Sequence, residues 1–108
     1  MSRAKGNIAE DSACDYLTAH GYQIIERNFY AKTGEIDIIV SRDEVLHFVE
    51  VKSGNSFEPV YNITPGKLRK IIKTAQFYMK KNGIDPVFSI DAIIVSNGEI
   101  EFLENVTL

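Results

Sequence analysis

The sequence is poor in the features that mark secreted, disulfide-stabilised or membrane-spanning proteins. Its single cysteine, Cys14, cannot form an internal disulfide, and no CxxC pair is present. No apolar run approaches the ~20 residues that a membrane-spanning helix needs. The N-terminal segment also lacks the apolar stretch of a secretory signal. These absences predict a cytoplasmic protein that does not associate with membranes.

Two common kinds of binding site are also missing from the sequence. The two histidines, His20 and His47, share no spacing typical of metal ligands, so each is interpreted as a structural residue. There is no glycine-rich phosphate loop, which disfavours a phosphohydrolase acting on nucleotides or other small phosphate esters.

The composition is that of an ordinary globular protein, but the charge is unevenly distributed. The chain has 108 residues, 44% of them hydrophobic and 25% charged, and we expect one domain over residues 1–108. The net charge is −3, which argues mildly against a strong nucleic-acid binder. However, residues 65–83 contain six of the 12 basic residues and no acidic residue. This segment is therefore the candidate surface for an anionic partner.

Hydrophobic periodicity and turn signals predict an α/β protein with the order αβββαββ. Thr64 is the predicted N-cap of the second helix, with Pro65 at its first position. Asn97-Gly98 is typical of a hairpin turn. The predicted helices cover residues 4–20 and 65–82, and the predicted strands cover residues 22–30, 35–40, 45–53, 87–95 and 99–104.

The second and third predicted strands carry an unusual group of charged residues. If the loop 41–44 closes a hairpin in which Val40 faces Val45, alternation places four charged side chains on one face: Glu35, Asp37, Glu50 and Lys52. That face is otherwise apolar, as is the opposite one, so we expect layers to cover both sides of the hairpin. The alternative is that the charged side chains are strand-end residues that reach water.

Clustered carboxylates need a compensating charge. Two carboxylates ~5 Å apart repel each other by roughly 3 kcal/mol at an effective dielectric constant near 20. Lys52 offsets one such pair, so the cluster requires a divalent cation, a trapped proton or a wide opening to solvent. Oxygen-rich sites of this kind suit Mg²⁺ or Mn²⁺. Glu10 shares the inward stripe of the first helix with Ala13 and Leu17, so it either adds a fourth acid or sits there because the helix dipole favours it.

An ordered set of short motifs connects these residues. They are GNIAE ending at Glu10, the pair Arg27-Asn28, GEIDII at 34–39, FVEVK at 48–52, TPGK at 64–67, and Asp91 in an apolar strand. This set resembles the YraN-like uncharacterised bacterial family over almost the whole chain. The same motifs are also similar to those of the PD-(D/E)xK nuclease superfamily and of archaeal Holliday-junction resolvases. The resemblance implies a restriction-endonuclease-like core, with a mixed central sheet flanked by helices.

The resemblance also implies roles for individual residues. Asp37 and Glu50 would bind the metal, Mg²⁺ or Mn²⁺, with the carbonyl of Val51 as a further ligand. Lys52 would position the attacking water or stabilise the developing charge on the phosphate. Glu10 would complete the acidic site or hold a metal-bound water.

Other residues are interpreted from the motifs and from their positions in the sequence. Glu35 fits the motif as an accessory residue, and Asp91 is interpreted as a structural acceptor or a group behind the site. Gly66 and Ser89 stand where the family suggests basic residues, which reduces the positive charge available to nucleic acid. Phe57 and Tyr61 lie in the loop after Lys52 and either cover the site or pack.

The predicted function is a divalent-metal-dependent endonuclease that hydrolyses phosphodiester bonds in DNA, with branched or junction DNA as a candidate substrate. The alternative is a non-catalytic nucleic-acid-binding or adaptor module that keeps the nuclease fold. Phe77 lies on the polar face of the second helix, where it stacks on a base, forms a homodimer contact or is buried beneath a loop. The proposed nucleic-acid contacts, which would otherwise be a solvated face, are Lys67, Lys70, Lys73, Lys80 and Lys81.

Overall fold

The computed structural model confirms the predicted element order. It describes residues 5–54 and 63–107, with side chains from Ile8 onward, so Phe57 and Tyr61 lie outside the described residues. The elements are α1 (Lys5–Ala19), β1 (Gln23–Ala31), β2 (Gly34–Arg42), β3 (Val45–Ser53), α2 (Pro65–Lys81), β4 (Val87–Ser96) and β5 (Glu99–Leu103).

The five strands form one mixed sheet in the order β1-β2-β3-β4-β5. β3 and β4 are parallel, and the other neighbouring pairs are antiparallel. The connection between the parallel strands includes α2, as a crossover between parallel strands usually requires. Neither of the two described helices is long and apolar enough to cross a membrane.

The two helices cover opposite faces of the sheet, as the apolar character of both hairpin faces predicted. On the α2 side, Phe48 is fully buried in a core with Ile71 and Tyr78 of the helix. On the α1 side, Ala13 and Leu17 pack on Val49 in a second core. The central strands are therefore shielded on both sides, and Asp37 and Glu50 on them are only half-exposed.

The predicted pairing of β2 with β3 is wrong by two residues. Arg42 pairs with Val45, and Val40 pairs with His47. The strands are longer than predicted because Asp43 and Glu44 alone form the turn, with positive φ angles of 53° and 66°, as a two-residue hairpin turn of this hand requires. A shift of two residues preserves the parity of the pairing, and Glu35, Asp37, Glu50 and Lys52 still line one pocket.

The apolar stripe of α1 ends before His20. Ala13 and Leu17 are fully buried, but His20 is exposed, and its Nδ1 lies 2.7 Å from the carbonyl oxygen of Tyr16. The helix ends at Ala19, and Gly21, with φ of +87°, turns the chain toward β1. His20 therefore belongs to the helix terminus and not to the face that packs on the sheet.

Candidate active site

The charged residues of β2 and β3 lie where these two strands separate. Their pairing ends at Ile38 and Val49, although β2 begins at Gly34 and β3 continues to Ser53. On their outer sides both strands remain paired, β2 with β1 and β3 with β4. Residues 34–37 and 50–53 thus form the two arms of an opening in the sheet, which we call the fork.

Asp37 is the first residue of the β2 arm beyond the last pair. Its Oδ2 accepts a hydrogen bond of 2.8 Å from the backbone N–H of Val51 on the β3 arm. The side chain thus accepts from a backbone N–H that has no partner on β2, because the two strands have separated at this point. This contact fixes the Asp37 carboxylate inside the fork, although burial raises its pKa to about 6 and the Val51 N–H only partly offsets that effect.

Glu50 occupies the facing arm. Burial, and then the neighbouring Asp37 carboxylate, raise the pKa of Glu50 to about 8, while Lys52 acts in the opposite direction. Its Oε2 is buried and has no hydrogen-bond partner. Among the side chains described in residues 8–54 and 63–107, no other buried nitrogen or oxygen atom lacks a hydrogen-bond partner. An unpartnered buried acceptor costs free energy, and it marks a place where a ligand is missing or a proton is held.

A pocket of about 230 Å³ opens from the fork toward α2. Its polar wall on the sheet is formed by Glu35, Asp37, Glu50 and Lys52, and the helix side contributes Lys67 and Lys70. The chemistry of the pocket is therefore mixed, with carboxylates on the sheet and ammonium groups on both walls. An anion that approached the carboxylates would do so between three lysines.

The other predicted nucleic-acid contacts lie at increasing distance from this pocket along α2. Lys73 lines an adjoining groove together with Gly66 and Arg69, and this groove shares Lys67 and Lys70 with the pocket. Lys80 and Lys81 lie in the last turn of the helix. The Nζ atom of Lys81 sits 5.7 Å from the centre of the Phe29 ring. Only the N-terminal half of α2 therefore adjoins the fork.

Glu10 reaches the region from the α1 side and does not line the pocket. Its Oε1 accepts a 2.9 Å hydrogen bond from Nδ2 of Asn28 and lies 3.6 Å from the guanidinium group of Arg27. Burial raises the pKa of Glu10, and Arg27 partly offsets that effect. Glu10 in turn raises the pKa of Asp37. Sequence reasoning gave no role to Arg27 and Asn28, although their occurrence as a motif was the available signal.

The oxygen atoms of the fork fit a hard divalent cation. Asp37 and Glu50 would be its carboxylate ligands, and the unpartnered Oε2 of Glu50 is available to bind the cation. Within the part of the chain that the structure describes, no three side chains of the types His, Cys, Asp and Glu come together as a ready-made metal cage. Two carboxylates completed by waters and by substrate oxygens are the usual arrangement for Mg²⁺.

Asp91 and Ser89 lie on β4 in register with Val49 and His47, on the face of the sheet that is covered by α1. Asp91 is fully buried, and its carboxylate pairs with Nδ1 of His47 and accepts hydrogen bonds from the Ser89 hydroxyl and the Asn105 backbone N–H. It is thus a structural acceptor that ties β3 to β4 and to the segment after β5. Ser89 serves this network and does not line the pocket of the fork. The absence of a basic residue at position 89 therefore removes no charge from that pocket.

Comparison with known proteins identifies the family. A model of the uncharacterised protein family UPF0102 matches residues 9–95, which include every charged residue of the fork. A UPF0102 protein of Wolinella succinogenes is 60% identical over 108 residues, covering all of both chains. One from Helicobacter hepaticus is 54% identical, covering 99% of this chain and 97% of its own, and one from Sulfurovum is 57% identical, covering 95% and 93%. The chain belongs to the UPF0102 family.

Proposed function

We propose that this protein is a divalent-metal-dependent endonuclease that hydrolyses phosphodiester bonds in DNA, with branched or junction DNA as the first substrate to test. One observation carries the proposal: the fork holds two half-buried carboxylates, and one oxygen of Glu50 is buried without a hydrogen-bond partner. Protein interiors rarely tolerate such an atom unless it has a task. The resemblance of the GEIDII and FVEVK motifs to the nuclease superfamily supports the same assignment.

Asp37 and Glu50 would hold Mg²⁺ or Mn²⁺, with the Val51 carbonyl as a further oxygen ligand. The cation would act as a Lewis acid and lower the pKa of a bound water. It would also reverse the local negative charge, without which the carboxylates of the fork would repel a phosphate. The raised pKa values of both carboxyls have the same physical cause, which is too little positive charge for their degree of burial.

The lysines of the pocket would receive the scissile phosphate. Lys52 lies on the same arm as Glu50 and would place its ammonium group beside the attacked phosphate, where negative charge develops. Lys67 and Lys70 face the fork from α2 and would contact the neighbouring phosphates of the strand. We place Glu35 as an accessory residue, because it lines the pocket but its side chain is exposed.

The first test is binding of Mn²⁺ and Mg²⁺ by calorimetry at near-physiological salt. Wild type should bind the cation, whereas Asp37→Asn and Glu50→Gln should lose binding while remaining folded. Glu101→Gln, the same change on an exposed residue of β5, is the matched control and should bind normally. A cation that binds equally to all four proteins would place the metal elsewhere and contradict the proposal.

The second test is cleavage of labelled four-way junctions and linear duplexes with Mn²⁺ present. Lys52→Gln should retain metal binding and lose at least about tenfold in cleavage rate, as removal of a group that stabilises developing charge usually does. Equal cleavage by Asp37→Asn and by wild type would assign the activity to a contaminant or another site.

A non-catalytic nucleic-acid-binding module is the second candidate. It is favoured by the composition of the fork, where no third carboxylate among the described residues joins Asp37 and Glu50 at metal-ligand spacing. This alternative predicts DNA binding without turnover in Mg²⁺, Mn²⁺ and Ca²⁺. It further predicts that Lys52→Gln weakens binding and changes nothing else.

A further inference from the structure

We propose that Arg27 and Asn28 are positioning residues, which hold the Glu10 carboxylate of α1 against the fork so that it acts together with Asp37. This inference rests on the proposed function of the fork. It gives a task to two residues that touch neither the pocket nor, in the proposed reaction, the substrate.

The first step of the argument is the backbone of β1 at Asn28. Its φ angle is 54°, a left-handed conformation that non-glycine residues rarely adopt within a strand. Regular alternation would place Arg27 and Phe29 on one face of the sheet. Instead, Arg27 forms a 2.9 Å ion pair with Asp11 of α1, whereas the Phe29 ring lies 5.1 Å from that of Tyr78 on α2. The irregularity therefore directs neighbouring residues to opposite layers.

The second step is the position of Asn28 in the sheet. The paired residues of β1 and β2 are Arg27 with Ile38 and Phe29 with Ile36. Asn28 thus falls between these two pairs, opposite Asp37, although the two residues are not themselves paired. Asn28, which binds Glu10 of α1, therefore lies one strand away from Asp37 of the fork. Glu10, Asn28 and Asp37 thus form a row from α1 through β1 to β2.

The third step is the electrostatics of Glu10. Its side chain is only 11% exposed, and a buried carboxylate is retained only where donors or positive charge compensate it. Arg27 and Asn28 both contact Oε1. The pair thus fixes the carboxylate from the β1 side. Arg27 also offsets charge that would otherwise add to that of Glu35 and Asp37.

The experiment is a double-mutant cycle of Asn28→Gly with Glu10→Gln. Glycine adopts a φ of 54° without strain, so Asn28→Gly removes the amide and keeps the backbone. Asn97→Gly is the matched control, because Asn97 has a φ of 53° in the exposed β4–β5 turn. Each protein is measured for Mn²⁺ affinity, for the cleavage rate on a four-way junction, and for the thermal midpoint without metal.

We expect Asn28→Gly to reduce metal affinity or cleavage about tenfold, as residues that orient the ligands of a metal site do. In the Glu10→Gln background the same change should have no further effect on either quantity, because Asn28 acts through Glu10. Arg27→Lys should retain more activity than Arg27→Gln. Asn97→Gly should match wild type.

Two results would overturn the inference, and they are distinguishable from failure of the proposed function. If wild type binds Mn²⁺ and cleaves, and Asn28→Gly changes only the thermal midpoint, Arg27 and Asn28 are structural. The same conclusion follows if the two substitutions reduce activity independently. If wild type neither binds metal nor cleaves, the proposed function fails and the positioning role fails with it, even where the thermal midpoints show that the contact exists.

Discussion

Replacing Glu50 by glutamine should stabilise the metal-free protein, and the gain should grow with pH. In the unfolded chain this carboxyl ionises near 4.5, whereas in the fold its pKa is raised to about 8. Below about pH 4 the group is protonated in both states and contributes no difference. Above that pH the carboxyl loses its proton in the unfolded chain but keeps it in the fold. The free energy of unfolding of wild type therefore falls until about pH 8.

The magnitude follows from the two pKa values. A carboxyl whose pKa rises from 4.5 to about 8 carries roughly 5 kcal/mol of unfavourable free energy once it is fully ionised. Part of this is shared with Asp37, and the amide must find its own hydrogen bonds. We therefore expect Glu50→Gln to be more stable than wild type by about 2–4 kcal/mol at pH 8 and by less than about 1 kcal/mol at pH 4.5. For a domain of this size, the gain at pH 8 amounts to a rise of 10 °C or more in thermal midpoint, as an order of magnitude.

The assay is urea unfolding with a chelator present, at pH values between 4.5 and 8.5, for wild type, Glu50→Gln and the exposed control Glu101→Gln. A residual pH dependence between about 4 and 6 should remain in Glu50→Gln, because Asp37 is still buried with a raised pKa. In a separate series without chelator, saturating Mn²⁺ should raise the stability of wild type by mass action, about 2.7 kcal/mol at a hundredfold excess over Kd, and leave Glu50→Gln unchanged.

The reasoning would be refuted by parallel pH profiles. If Glu50→Gln is no more stable than wild type at pH 8, and its stability changes with pH as steeply, then the Glu50 carboxylate is well solvated. In that case its unpartnered oxygen would not indicate a missing cation, and the strongest support for the proposed function would be lost.

Two further predictions concern the Asp91 network and the lysines of α2. Asp91→Ala should lower the free energy of unfolding by about 2–3 kcal/mol, because it leaves the buried His47 and two partly buried donors without their acceptor; urea unfolding measures the loss, and metal affinity of the folded protein should be unchanged. Lys67→Gln with Lys70→Gln should weaken DNA binding at least about tenfold and reduce the slope of log K against log salt by about 2. The same double change at Lys80 and Lys81, in the last turn of α2, should alter affinity by less than about twofold. At physiological salt, exposed charges separated by more than a Debye length of ~8 Å are largely screened from each other. Fluorescence anisotropy measures both affinities.

Local signals in the sequence were sufficient for the elements and their caps. The Thr64 side chain accepts the backbone N–H of Lys67 and caps α2, as the Thr-Pro pair predicted. Asn97 and Gly98 both have positive φ angles, as a hairpin turn built on Asn-Gly requires. These features depend on a few adjacent residues, so a sequence pattern captures them.

The strand register could not be obtained in the same way. Asp43-Glu44 is not a typical pair for a turn with two left-handed residues, so composition favoured a four-residue loop. Both faces of the hairpin are apolar, and a shift of two residues therefore exposes nothing that would reveal the error. The grouping of Glu35, Asp37, Glu50 and Lys52 was predicted with the wrong partners because only the parity of the register determines the face.

The contacts of Glu10 were beyond sequence reasoning for a different reason. They depend on one left-handed residue, Asn28, which sends Arg27 toward α1 and Phe29 toward α2. No period of two along β1 contains this information, and a left-handed conformation is uncommon even for Asn, which is enriched there. The motif indicated that Arg27 and Asn28 matter, but their partner could be identified only after α1 had been placed on the sheet.

The fork explains why the same residues carry both the instability and the proposed chemistry. If β2 and β3 stayed paired beyond Ile38 and Val49, backbone groups would satisfy one another and no carboxylate would be needed between the strands. Separation exposes the Val51 N–H, which Asp37 accepts, but it leaves the Glu50 oxygen without a partner. The fold thus bears a cost that a bound cation would remove, and strained or unsatisfied groups of this kind concentrate at functional sites. A protein stabilised by closing the fork should for the same reason lose its affinity for Mn²⁺.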